Sequence, residues 1–151
     1  VNISKLASRQ RGGQRLLGLD LGSRTIGLAI SDSSLAIASP LETIQRGKFS
    51  RDVEHLSEII DTRNVGGLVV GLPLNMNGSE GPRCQSTRAF VTNFLARVDM
   101  PVAFWDERLS TAAVERILIQ EADLSRKRRS RALDKMAAAF ILQGALDRMK
   151  N

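Results

Sequence analysis

Asp20 stands where a carboxylate is costly. It lies in RLLGLDLGSRTIGLAISD, among Leu16, Leu17, Leu19 and Leu21. An ionised carboxylate in an apolar strand loses several kcal/mol of hydration unless something compensates it. Hydrogen bonds from turn amides at the strand's end would do so, and so would a bound cation. Two further acids sit at odds with their surroundings. Glu107, in PVAFWDERLST, follows an apolar strand, at the carboxyl end where α/β sheets gather ligands; the run Asp106-Glu107-Arg108 could equally be solvated and pair with itself. Asp134, in RALDKMAAAFILQGAL, has Ala137, Ala138 and Ile141 at i+3, i+4 and i+7, so it heads a helix face that otherwise packs inward. Its ordinary alternative is a first-turn acid favoured by the helix dipole. Taken together, a strand acid, an acid after a later strand and an acid on the terminal helix can converge on one spot. Clustered oxygen donors suit Mg²⁺ or Mn²⁺. Two such ions about 4 Å apart can activate water and stabilise the leaving oxygen in phosphodiester hydrolysis.

Composition narrows the chemistry from the other side. The 151 residues include one cysteine, Cys84, and one histidine, His55, which excludes an intramolecular disulfide and a Cys/His zinc site. No G-x-S-x-G elbow occurs to build a serine triad on His55, which falls beside Glu54 and Glu58 on the solvated side of a helix. Cys84 reads as an inert thiol. Basic residues outnumber acidic ones by 22 to 16, a net charge of +6, which points to a polyanionic partner such as nucleic acid. No stretch has the length and apolarity of a membrane span or a signal-peptide core, so a cytoplasmic protein without membrane contact is expected.

The elements that must position these acids follow from periodicity. Residues 1–14 lack a sustained period and read as a loosely held N-terminal extension, with a short helix over Ile3 to Ala7. Residues 15–151 read as one domain. Leu16 to Leu21 and Ile26 to Ile30 form a hairpin around Gly22-Ser23-Arg24-Thr25. A third strand, Ala36 to Ile44, contains Pro40 and belongs at a sheet edge. Val53, Leu56, Ile59 and Ile60 mark an amphipathic helix over Arg51 to Arg63. Gly67 to Leu72 is a strand covered on both faces. The loop Pro73 to Pro82 leads to a helix with Phe90, Val91, Phe94, Leu95 and Val98 on its core face. Pro101 to Trp105 is a fifth strand, a helix capped by Ser110 or Thr111 runs to about Glu121, and a basic loop from Ser125 to Ser130 precedes a last helix, Arg131 to Met149. Hairpins followed by helical crossovers give a mixed sheet with helices on both faces, an α/β architecture.

Four segments in order, GLDLGSRTIGLAISD, VVGLPLNMNGSE, DERLSTAAVE and LDKMAAAFIL, resemble the motifs of the YqgF/RuvX family, a group of bacterial ribonuclease-H-like proteins. The similarity runs from about Leu16 to Met149. It implies a five-stranded mixed sheet in the order 3-2-1-4-5, with the acidic triad on Asp20, Glu107 and Asp134 as catalytic residues and ligands of Mg²⁺ or Mn²⁺. It further implies an endonuclease acting on structured nucleic acid. Processing the 5′ end of pre-16S rRNA in ribosome biogenesis is the first reading, and resolving four-way DNA (Holliday) junctions the alternative. Trimming an RNA end suits a monomer, whereas symmetric junction resolution needs a homodimer. Arg126, Lys127, Arg128, Arg129 and Arg131, beside the Asp134 helix, are expected to hold backbone phosphates with strong salt dependence. Arg108 and Asn75 are expected to face substrate. Two other classes compete. The D-x-G hairpin also resembles the phosphate-binding start of actin-like ATPases, though these close two such domains around ATP. A non-catalytic nucleic-acid-binding scaffold could keep the same fold.

Overall fold

A computed structural model describes residues 1–109 and 126–150. The expected helix between Ser110 and Glu121, and Ser125, lie outside the described residues. In chain order the elements are α1 (Ile3–Ser8), β1 (Arg15–Leu21), β2 (Thr25–Ser31), β3 (Ala38–Gln45), α2 (Phe49–Thr62), β4 (Val65–Leu72), α3 (Pro82–Leu95), β5 (Val102–Asp106), a single 3₁₀ turn (Glu107–Leu109) and α4 (Arg126–Met149). The strands form one sheet in the order β3-β2-β1-β4-β5. The hairpin strands pair antiparallel, β4 and β5 join in parallel, and Pro40 lies on the edge strand β3.

The two faces of this sheet differ in thickness. Leu17, Leu19, Leu21, Ile26, Leu28, Leu68 and Val70 point to one side and build the larger core with α2 and α3. The other side presents Leu16, Gly18, Gly27, Ala29, Val69, Gly71 and Ala103, and against it lie α1 and α4, anchored by Ala138, Ile141, Leu142, Ala145 and Leu146. Small residues there let α4 lie close. A Cβ at Gly18 would stand 2.8 Å from the Leu142 Cβ and 3.0 Å from the Ala138 carbonyl oxygen.

Three expectations change. The basic stretch is not a loop: Arg126 to Ser130 form the opening of α4, which starts five residues before the expected Arg131. Nothing in that stretch breaks a helix, and Arg and Lys are good helix formers. The N-terminal segment is not loosely held, because Leu6 is fully buried, and Gln10 Nε2 donates to the Gly66 carbonyl at 3.2 Å. Leu95 is exposed rather than core-facing; it is the last residue of α3, whose buried face consists of Cys84, Thr87, Phe90, Val91 and Phe94.

Candidate active site

Asp20 reaches the site because strand alternation turns it with Leu16 and Gly18 toward the α4 face, one residue before β1 ends. Its cross-strand partner is Gly27. Any Cβ on Gly27 would overlap the backbone carbonyl of Asp134, so the glycine is what admits α4, and with it Asp134, over the hairpin. Thr25 Oγ1 donates to Asp134 Oδ2 at 2.7 Å. Glu107 enters from the other side, on the 3₁₀ turn directly after β5. A Cβ on Gly71 would lie 2.8 Å from Glu107 Cγ and 2.9 Å from its Oε1. Gly27 thus makes room for the backbone that carries Asp134, and Gly71 for the Glu107 side chain.

The structure brings the Asp20 and Glu107 carboxyls within hydrogen-bonding reach of each other. Burial, then the hydrogen bond and negative charge of Asp20, push the Glu107 carboxyl up to about 8, against a smaller opposing pull from Arg83. Asp134 is also raised, by burial first and by the charge of Asp20, while the Thr25 hydroxyl works the other way. Asp134 therefore senses Asp20 but is turned to Thr25. Among the described residues no three Asp, Glu, His or Cys side chains stand close enough to hold an ion as they are. The donor set nonetheless fits a hard cation. Its oxygens are all carboxylate, and two acids within hydrogen-bonding reach of each other form a place where a cation can replace a proton.

Proton linkage gives this pair a measurable signature. Between about pH 4.5 and 8 the folded protein keeps the Glu107 proton that the unfolded chain has lost, so stability falls as pH rises through that window. Glu107→Gln removes the slope and can still donate to Asp20. Its melting temperature in chelator should exceed that of the parent by about 5 °C at pH 8 and match it at pH 5. Parallel melting curves across pH would refute the pairing.

The expected substrate contacts are dispersed. Arg108 is held bidentate by Asp106, with Nη2 to Oδ2 at 2.6 Å and Nε at 2.9 and 3.0 Å, and Nη1 donates to the Met76 carbonyl. That ion pair holds the Asp106 carboxyl below its usual range. Asn75 Nδ2 donates to Ser79 Oγ within the loop, where Gly78 adopts φ +87°. Arg126, Lys127, Arg128, Arg129 and Arg131 lie in the first turns of α4, on the helix that carries Asp134. Sequence reasoning passed over Thr25 and Arg83. The first partners a residue 109 positions away, and the second acts only through its field.

A mixed five-stranded sheet with acids at the carboxyl ends of β1 and β5 and on the last helix defines a ribonuclease-H-like protein. Residues 14–148 match the family model for RuvX, described as Holliday junction resolvase, and the chain belongs to that family. A protein of Paramagnetospirillum magneticum, named "Putative pre-16S rRNA nuclease", is 63% identical over 142 residues, covering 94% of this chain and 90% of its own. A relative of the same name in Bartonella tribocorum is 53% identical over 151 residues, covering 100% of this chain and 96% of its own. In fold the chain is similar to Thermus thermophilus RuvC bound to a Holliday junction (TM-score 0.55, 16% identity, 90% of this chain and 96% of that one). It is also similar to the yeast mitochondrial Holliday junction resolvase (TM-score 0.52, 8% identity, 99% and 87%). Among the described residues no helix is long and apolar enough to cross a membrane.

Proposed function

We propose that the protein is a divalent-metal-dependent endonuclease that processes the 5′ end of pre-16S rRNA in the cytoplasm, with residues 15–151 as the nuclease domain. The observation that carries the reading is the Asp20–Glu107 pair, two half-buried carboxyls within hydrogen-bonding reach at the meeting point of two strand ends, beside Gly71. The names of the close relatives favour the ribosomal substrate; the family description keeps junction DNA as the second reading. Asp20, Glu107 and Asp134 would hold one or two Mg²⁺ or Mn²⁺ ions. When bound, such ions activate a water molecule and neutralise charge at the scissile phosphate. Binding such an ion would require Glu107 in its ionised form, so activity is expected to rise with pH toward about 8. Asp134, held by the Thr25 hydroxyl at 2.7 Å, would supply the third carboxylate to such an ion.

The test is cleavage of a precursor 16S transcript beside a four-way DNA junction, each with Mg²⁺, with Mn²⁺ and with chelator. Metal-dependent cutting near the mature 5′ end of the transcript, with the junction intact, is the expected result. Symmetric nicking of the junction alone would transfer the assignment to recombination. No cutting of either would remove the enzyme reading.

A further inference from the structure

Beside the carboxylates runs a cleft of about 1020 Å³ that neither the motifs nor the charge runs of the sequence reveal. Its walls come from three separated segments: the Gly22–Thr25 turn, the Gln45–Gly47 exit of β3, and the first turns of α3. Thr25 and Asp134 line it as well, so the cleft opens directly onto the candidate active site.

Its cations distinguish it. Arg24, Arg46 and Arg83 all face it. Close ion pairs among the described residues include His55–Glu42, Arg88–Glu80 and Arg108–Asp106; Arg24 and Arg46 are in none of these, and the charge of Arg83 reaches the Glu107 carboxyl. Arg108, the cation next to Glu107 in sequence, is by contrast already neutralised by Asp106. Arg46 is fixed in place, its Nη1 donating to the Gly22 carbonyl and its guanidinium 5.3 Å from the centre of the Phe90 ring. Arg24 and Arg83 are exposed and free to reach outward. An acidic centre repels a phosphodiester backbone. A substrate strand therefore needs compensating charge along its path, and this cleft supplies it within reach of Asp134.

The geometry points to the cleft as the track for the sugar–phosphate backbone of the strand being cut, with Arg24 and Arg83 on successive phosphates and Arg46 as a fixed post. The inference deepens the nuclease reading and rests on it for the identity of the strand. Contacts of this kind bind RNA and DNA alike, because the phosphates are common to both.

The test uses full-length protein carrying Asp20→Asn, so that binding is read without cutting, and fluorescein-labelled single-stranded RNA and DNA of one mixed sequence. Arg24→Ala and Arg83→Ala are each expected to weaken binding about fivefold at 0.1 M salt and to reduce the salt slope by about 0.7. Arg63→Ala, a cation at the opposite end of the sheet beside Asn64, removes the same charge and should change neither. The inference fails if the cleft variants behave like Arg63→Ala, if the loss is confined to RNA or to DNA, or if the parent binds neither strand. If the cleft variants lose binding as expected while protein with Asp20 intact cuts nothing, the nuclease reading falls and the cleft stands.

Discussion

Asp20→Asn will lower cleavage by about three orders of magnitude or more while leaving the fold and nucleic-acid binding near parent levels. Asn keeps the size and one oxygen of Asp but none of its charge. It can still hydrogen-bond Glu107, so the β1–β5 corner should hold. It cannot supply the negative charge that draws a cation into the site, nor hold one as a carboxylate does. Removing that charge also takes away one of the forces that push the Glu107 carboxyl up, so Glu107 in the variant should ionise at lower pH than in the parent. Titration of the Glu107 carboxyl by NMR reads this separately from turnover. Cleavage within tenfold of the parent would exclude Asp20 from the chemistry. An unmoved Glu107 titration would exclude the coupling.

Gly27→Ala is expected to do more damage than any nearby surface change. The added methyl would overlap the Asp134 carbonyl and crowd the Lys135 amide. These are backbone atoms that no rotamer change can move aside. Overpacking of well-packed sites commonly costs 1–3 kcal/mol, and more where nothing can give. A loss of about 3 kcal/mol, or about 10 °C in melting temperature, is expected, with cleavage falling at least tenfold as Asp134 is displaced. Gly12→Ala is the matched control, since nothing lies within 4 Å of the added atom; its stability should stay within about 0.5 kcal/mol of the parent. A Gly27→Ala protein with parental stability and activity would show that α4 does not depend on this contact.

How much of this could be read from the chain follows from which signals are local. Asp20 was legible because a charge inside Leu16–Leu21 breaks a local pattern, and Glu107 because it closes an apolar strand. The hairpin and two crossovers predicted a mixed sheet, the family resemblance alone implied its order, and the observed sheet has that order. The basic segment misled because charge marks solvent exposure, not backbone conformation, and a run of Arg and Lys is as compatible with a helix as with a loop. Leu6 was missed because a single apolar residue in a polar segment has no period; only the gap it fills beside Gly67 reveals it. Gly27 and Gly71 read as strand glycines, and their role depends on a helix and a turn that arrive from far along the chain. The Thr25–Asp134 bond and the arginine cleft are likewise products of topology.

The unequal thickness of the two sheet faces has a practical consequence for anyone wishing to engineer this protein. On the α2/α3 side, Leu17, Leu19, Leu28 and Val70 meet other large side chains, where volume-conserving exchanges are commonly accommodated by repacking. On the α4 side, Gly18, Gly27 and Gly71 meet backbone or a catalytic candidate at contact distance, and there is no spare volume to trade. A combinatorial library aimed at heat resistance should therefore vary the first face and hold the second constant. The protein offers one side to the breeder and keeps the other for its chemistry.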